Sequence, residues 1–419
     1  MSASTAGPPP TRTSDRLDER LQHRAGLGGV VQTSLDRLRS GDLGTLPVVA
    51  GLVVIFTVMY FLNDNFLSPR NLVNLTLQMS DTGVIALGIV LVLLVGQIDL
   101  SVGSVSGVSA AVTAITFVRH DWPIALAILL AVVTGCFIGW VYSIMFNRFG
   151  VPSFVITLAG LLGFLGLQLA LLSPYGRAVN LPFDSFLVQF SSGLFLPEWL
   201  SYLLVVAVAG GYFVAGLLRS RERQASDLST GSTTGLLVRS VLLAAGLALV
   251  VSILNQARGV SYMFVLFVGL VLVMHYALTR TRWGRSMFAV GGNVEAARRA
   301  GINVRAVYAS AFVLCSGLAA LGGVLAASRL TSASTTTGTG DVNLNAIAAA
   351  VIGGTSLFGG RGSAFAALLG IMVIQSISNG LVLLNLESSI RFMVTGAVLL
   401  LAVTLDSLAR RSRSSHGVA

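Results

Sequence analysis

Apolar segments long enough to cross a lipid bilayer recur along this chain, from 46–62 near its start to 392–405 near its end. A helix needs about 20 apolar residues to span the hydrocarbon core. Hydrophobic residues make up 54% of the sequence and charged residues 11%, with a mean hydropathy of +0.83. No soluble fold could bury so much apolar surface. The chain is therefore predicted to be an all-α, polytopic transmembrane helix bundle of about 10–12 spans.

Polar stretches at the two ends and in the interior predict the domain organisation. Residues 1–44 are polar and lack the apolar region of a signal peptide, so we expect a cytosolic, disordered tail there. Partner binding by this tail is the alternative. Residues 45–406 would form the transmembrane domain, and 407–419 a basic cytosolic tail. Within the transmembrane domain, 219–262 combines a basic hydrophilic loop with an added apolar helix.

Arginine carries all of the side-chain positive charge, because the sequence contains no lysine. A phosphate-binding P-loop needs its lysine, so the chain is not an ordinary P-loop ATPase. Placing both termini in the cytosol puts most of the 27 arginines in cytosolic loops. The positive-inside rule therefore predicts a multi-pass protein of the cell membrane with both ends inside, and the charge gives no reason to expect nucleic acid as a partner.

Catalytic and metal-binding patterns are absent from the sequence. Cys136 and Cys315 lie in separate apolar runs, and the four histidines show no spacing typical of metal ligands or of a catalytic triad. We expect neither an enzyme nor a resident cofactor.

The stretch 289–304, A-V-G-G-N-V-E-A-A-R-R-A-G-I-N-V, is the longest polar interruption that still resembles an ordered element. Two glycines should break the chain before Asn293, which can cap a new helix. Glu295 would then suit the first turn of that helix, and Gly301 could end it. The pattern predicts a short, self-capped helix on the membrane face, where a partner could push it. A well-capped connecting loop is the alternative.

Two other glycine-containing segments interrupt the apolar runs. In 96–103, G-Q-I-D-L-S-V-G, Asp99 and Ser101 could cap the next helix. The acid could form a polar site between half-helices, as in transporters, or a simple cap at the membrane surface. In 353–363, a glycine-rich run resembles a phosphate-binding loop but lacks the lysine. A tight cytosolic turn between packed helices is therefore favoured.

Two transport mechanisms fit these features. A passive membrane subunit driven by a separate ATPase needs a docking helix and few charges in the membrane. A proton- or sodium-coupled transporter needs buried acids or histidines, for which Asp81 and Asp99 are the candidates. The scarcity of ionisable groups inside the apolar segments favours the first mechanism. A channel or a structural membrane protein remains a third possibility.

The stretch 289–304 resembles the cytosolic loop of permease subunits from bacterial ABC monosaccharide importers of the ribose/xylose type. Residues 295–301 match the E-A-A-x-x-x-G pattern of importer coupling helices. Q-I-D-L-S-V-G-S at 97–104 and A-I-A-A-A-V-I-G-G-T-S-L-F-G-G at 346–360 resemble two further signatures of this family, and V-P-S-F-V-I-T-L-A-G at 151–160 is also similar.

The subgroup also follows from the resemblance. The extra segment 219–262 and the sequence of 151–160 are similar to those of the xylose permeases. Many family members carry glycine where this chain has Gln97, so the local path of the chain can differ there.

This resemblance implies a permease subunit that moves a monosaccharide, D-xylose, inward by alternating access. Ribose, arabinose and galactose are the alternative sugars. It also implies a homodimer in membrane lipid, an extracytoplasmic sugar-binding protein, and a cytosolic ATPase subunit that binds the ATP and magnesium. The residues expected to couple to the ATPase are Gly292, Asn293, Glu295, Ala296, Ala297, Arg298 and Gly301. The residues expected along the translocation path are Asn74, Gln78, Gln97, Asp99 and Ser101.

Overall fold

The computed structural model describes residues 46–226 and 232–387, together with 228, 389–390, 392–397, 400 and 404. Within these residues, nine helices are long and apolar enough to cross a membrane, and two shorter helices are also apolar. The predicted all-α, polytopic bundle is confirmed. The tails predicted at 1–44 and 407–419, and part of the last predicted span, lie outside the described residues.

The helices are numbered here in chain order. They are α1 (Leu46–Leu62), α2 (Pro69–Leu94), α3 (Val102–Arg119), α4 (Ile124–Phe149), α5 (Ser153–Leu172), α6 (Glu198–Ala225), α7 (Thr233–Asn255), α8 (Tyr262–Arg280), α9 (Arg282–Gly292), α10 (Val294–Arg299), α11 (Val304–Arg329), α12 (Val342–Ile352) and α13 (Ala364–Leu383). The two short strands β1 (Ala178–Asn180) and β2 (Ser332–Ser334) pair antiparallel.

The chain divides into two compact units. In the described residues, the smaller unit is 197–256 and contains α6 and α7, and the larger unit contains the other helices. The two helices of the smaller unit pack on each other, and a Cβ placed on Gly216 of α6 would touch Leu236 of α7. The sequence predicted a loop beginning at Arg219, which is wrong, because α6 continues to Ala225. Arginine, glutamate and glutamine are good helix formers, and no glycine or proline interrupts that stretch.

Helix α2 lies at the centre of the larger unit, since 89% of its most apolar stretch is buried. Ser68 caps the helix, and Pro69 occupies the first turn, where a missing N–H costs nothing. Asn71 is buried in it because its side-chain amide donates to Asn379 Oδ1 of α13 at 2.8 Å.

Small residues allow α11 to pack closely on two neighbours. A Cβ on Gly88 of α2 would lie 2.8 Å from the Cys315 carbonyl oxygen of α11. On the other side, a Cβ on Gly139 of α4 would clash with the Phe312 carbonyl of α11. Such backbone approach is typical of membrane helices, where dispersion contacts rather than water exclusion hold helices together.

The loop after α11 folds back against α3 and α5. Gln168 of α5 donates its side-chain amide to the carbonyls of Ser334 and Thr337, at 2.8 Å each. A Cβ on Gly103 of α3 would meet the carbonyl oxygen of Gly338. This loop leads into α12, whose first turn therefore begins beside the start of α3.

Candidate functional site

The predicted self-capped helix is present as α10. Asn293 adopts an extended backbone, and its Oδ1 accepts from Ala296 N at 2.9 Å. At the other end, Gly301 has φ of +79°, and Ile302 N donates to Ala297 O at 3.1 Å. That hydrogen bond and the left-handed glycine form the usual C-terminal cap of a helix.

One detail of the sequence prediction is wrong. The chain does not break at Gly291 and Gly292, which form the last turn of α9. The turn stays helical because Asn293 N donates to Ala289 O at 3.0 Å. The break comes at Asn293, whose φ of −157° ends one helix while its side chain starts the next.

Most of the predicted coupling residues face outward. Of those seven, only Ala297 is buried, at 4% exposure, and it anchors α10 on the larger unit. Arg298 pairs with Glu295 at 2.9 Å, and both side chains are more than 60% exposed. An exposed pair of this kind contributes less than about 1 kcal/mol, so both charges stay available to a partner. Their role in coupling remains a prediction.

Backbone contacts join α9 to the end of α2 and to the glycine-rich loop. Gly360 N donates to Leu94 O at 2.9 Å. A Cβ on Gly291 would clash with that same carbonyl oxygen and would lie 2.6 Å from Gly360 N. Gly291 of α9, the end of α2 and the glycine-rich loop are therefore in close backbone contact.

The glycine-rich loop 353–363 is a tight turn, as favoured from the sequence. Gly354, Gly359 and Gly360 have φ of +102°, +86° and +72°. Several of its N–H groups are already used, since Ser356 N donates to Arg361 O and Gly360 N to Leu94 O. A phosphate-binding loop would need such donors free.

The segment between α2 and α3 carries a buried acid. Asp99 has no exposed surface, and its Oδ1 accepts from Ser101 N at 2.8 Å and Ser101 Oγ at 2.7 Å. Its Oδ2 lies 3.8 Å from Cys315 Sγ of α11, and Tyr142 of α4 donates its hydroxyl to Ser101 Oγ at 2.9 Å. The acid is therefore enclosed between α4 and α11, and its role as a polar site or as a helix cap stays a prediction.

Gln97, in the same segment, reaches the neighbourhood of the coupling helix. Its side chain lies near the Tyr308 hydroxyl of α11, and Tyr308 lines the same cavity as Arg298.

Gln78 belongs to a separate group of amides between α2 and α13. Its Oε1 accepts from Gln375 Nε2 at 3.1 Å and from Asn379 Nδ2 at 3.2 Å, and Asn379 also binds Asn71. Asn74 is exposed and makes no side-chain hydrogen bond among those described. The five predicted path residues thus do not line one surface. They lie in three places: the exposed side of α2, the amide group between α2 and α13, and the segment between α2 and α3.

Sequence reasoning missed four polar residues near these places. Gln375 and Asn379 lie one helical turn apart, a spacing that could have shown a shared polar face. Tyr142 and Asn343 gave no local indication, although Asn343 Nδ2 of α12 donates to Leu100 O at 2.6 Å. The Oδ1 atoms of Asn343 and Asn345 have no protein partner within the described structure.

Asp81, the other buried acid, is paired. Its Oδ2 accepts from Arg329 Nε at 2.9 Å, and its side chain is 3% exposed. The pair joins α2 to the last residue of α11. A carboxylate held this way is poorly suited to bind and release a coupling ion, so the structure disfavours that role for Asp81.

Comparison with known proteins gives three consistent findings. The family model described as branched-chain amino acid transport system / permease component matches residues 71–403. The xylose transport system permease protein of Escherichia coli strain K12 is 35% identical over 378 residues, covering 89% of this chain and 94% of that protein. The ribose import permease protein of Bacillus subtilis strain 168 is 32% identical over 380 residues, covering 90% and 97%. No solved structure gives a significant match.

Proposed function

Since this chain belongs to the branched-chain amino acid transport system / permease component family, we propose that it is the membrane-spanning permease subunit of an ATP-driven sugar importer. Its translocated substrate is a monosaccharide, D-xylose. Similarity to a xylose permease supports this sugar, because the xylose permease matches at 35% identity and a ribose permease at 32%.

The observation that carries this proposal is the exposed helix α10, which directly follows α9, whose Gly291 is in close backbone contact with the end of the central helix. A separate ATPase docks on the outward face of α10 and moves it when ATP binds. Because Gly291 is in contact with the Leu94 carbonyl, the movement reaches α2 and the break before α3. The break and α12 lie side by side through the Asn343 bond to Leu100 O, so both respond to the same displacement.

The remaining parts of the assembly follow from this function. Two copies of the chain line the path, and an extracytoplasmic binding protein delivers the sugar. The chain is multi-pass in the cell membrane, with α10 and both termini in the cytosol, in keeping with the arginine-rich loops. ATP and magnesium bind to the ATPase subunit.

Uptake into vesicles tests the proposal. Vesicles would hold this chain and its ATPase, and the binding protein and labelled xylose would be added together on the opposite side of the membrane from the ATPase. We expect xylose uptake only when ATP is supplied on the ATPase side. ATP-dependent uptake competed by ribose, arabinose or galactose but not by xylose would refute the assigned sugar. Uptake driven by a proton or sodium gradient without ATP would refute the ATP-driven mechanism.

Substitutions of Asp99 distinguish an ATP-driven mechanism from an ion-coupled one. Asp99→Asn keeps an oxygen that can accept from Ser101 N and Ser101 Oγ, so we expect ATP-dependent uptake to stay within about threefold of the wild type. Asp99→Leu leaves both donors buried without an acceptor, and a loss of about tenfold or more is expected. The comparison is made at equal amounts of membrane-inserted chain. Complete loss of uptake in Asp99→Asn would show that the charge itself is required, as ion coupling demands.

A further inference from the structure

A cavity of about 630 Å³ lies beside the coupling helix, where α4 ends and α11 begins. Its cationic lining residues are Arg298 and Arg305, and two asparagines, Asn147 and Asn303, add polar groups. Among the described residues, no acidic side chain lines it. The cavity therefore presents two positive charges and several hydrogen-bonding groups to whatever fills it.

Arg305 is the freer of the two arginines. Its side chain is exposed and forms no ion pair within the described part of the chain. Its carbonyl oxygen accepts from Asn147 Nδ2 at 3.2 Å, which ties the end of α4 to the start of α11. Arg298 shares its charge with Glu295 in an exposed pair that an anion can displace at little cost.

Aromatic rings form the inner side of the cavity. Phe146 packs edge-on against Tyr308 with ring centroids 4.8 Å apart. An aromatic side chain with a polar end, beside arginine, is typical of the boundary between hydrocarbon and headgroups. Because α4 ends and α11 begins here, the cavity lies at the level where a spanning helix leaves the membrane.

An exposed apolar stripe on α4 leads to this cavity. Val133, Phe137 and Trp140 are all at least half exposed, and they follow one another at helical spacing towards Asn147. Phe137 and Trp140 lie side by side with ring centroids 5.8 Å apart. In a bilayer this stripe contacts acyl chains, so one molecule with a charged head and an apolar tail can occupy the cavity and the stripe together.

We propose that this cavity binds the phosphate headgroup of an anionic phospholipid, with its acyl chain along the stripe on α4. Basic pockets between membrane helices on the cytoplasmic side bind such headgroups. The cytosolic placement of the cavity rests on the proposed orientation of the permease. The bound lipid bridges α10 and the start of α11 through Arg298 and Arg305, and so stiffens the segment on which the ATPase acts.

Lipid binding to the full chain alone tests this inference without any transport assay. The chain is purified in a neutral detergent, and phosphatidylglycerol or phosphatidylcholine of equal chain length is titrated while retained lipid is counted by native mass spectrometry. We expect phosphatidylglycerol to be preferred, and Arg305→Gln or Arg298→Gln to lower its affinity about fivefold each. Arg305→Lys should retain most of the preference, because the charge remains.

Arg280→Gln is the matched control, since Arg280 is exposed at the end of α8 and does not line the cavity. Its phosphatidylglycerol affinity should stay within about twofold of the wild type. If Arg280→Gln lowered phosphatidylglycerol affinity as much as the cavity variants, or if the wild type retained both lipids equally, the proposed binding site would be refuted. Full competition by inorganic phosphate would assign the cavity to a free anion instead. If Arg305→Gln weakened ATPase assembly but not lipid binding, the occupant would be an acidic segment of the ATPase.

Failure of this experiment leaves the proposed function standing, because uptake is measured separately. Conversely, uptake that does not need ATP would refute the proposed function but would not affect the lipid-binding result. A folding defect is recognised by comparing the melting temperature of each variant in the neutral detergent before lipid is added.

Discussion

Replacing Gly291 with alanine should reduce ATP-driven uptake about tenfold or more while the chain remains in the membrane. The added methyl group would overlap the Leu94 carbonyl oxygen and approach Gly360 N, and both are backbone atoms that cannot rotate away. Overpacking of this kind costs about 1–3 kcal/mol, and here it pushes apart the junction through which α10 acts on α2. Uptake and the thermal unfolding midpoint are measured on the same preparations.

Helix propensity alone predicts the opposite result for Gly291→Ala. Alanine is the better helix former by about 1 kcal/mol, so by that measure the substitution should stabilise α9. Gly163→Ala in α5 is the matched control, because nothing lies within 4 Å of its added Cβ. We expect the control to keep wild-type uptake and to be more stable than the wild type by up to about 1 kcal/mol. Normal uptake in Gly291→Ala would show that the junction does not transmit movement.

Breaking the ion pair between Asp81 and Arg329 should be the most destabilising charge change in the described membrane helices. Asp81→Asn leaves a mostly buried guanidinium group without its counter-ion, at a cost of about 3 kcal/mol. Arg329→Gln leaves the buried carboxylate instead, with a similar cost. The double variant should recover part of the loss, because two neutral amides can hydrogen-bond to each other.

A double-mutant cycle on thermal unfolding in detergent measures this interaction. The matched control is the exposed pair Glu295 and Arg298, which has the same 2.9 Å separation but more than 60% exposure of both side chains. Glu295→Gln and Arg298→Gln should change the free energy of unfolding by no more than about 0.5 kcal/mol. Additive losses at Asp81 and Arg329, with no coupling between them, would contradict the assignment of a stabilising pair.

Local features of the candidate site could be predicted from neighbouring residues. The N-cap at Asn293, the placement of Glu295 in the first turn and the left-handed Gly301 each depend on the chain within about one helical turn. The tight turns of the glycine-rich loop are predictable for the same reason. The prediction at Gly291 was wrong because the hydrogen bond from Asn293 N to Ala289 O keeps this turn helical. The flexibility of glycine alone does not show whether that hydrogen bond forms.

The sequence by itself determined the class of the protein, a polytopic helical membrane protein, and the caps of α10. Tertiary structure alone decided that Asp81 meets Arg329, that Asp99 is enclosed, and that Gly291 touches Leu94. In a soluble helix, the contrast between polar and apolar faces shows which side is buried. In the bilayer, lipid-facing and protein-facing sides are equally apolar, so contacts are set by small residues and buried polar groups whose partners are distant in the chain.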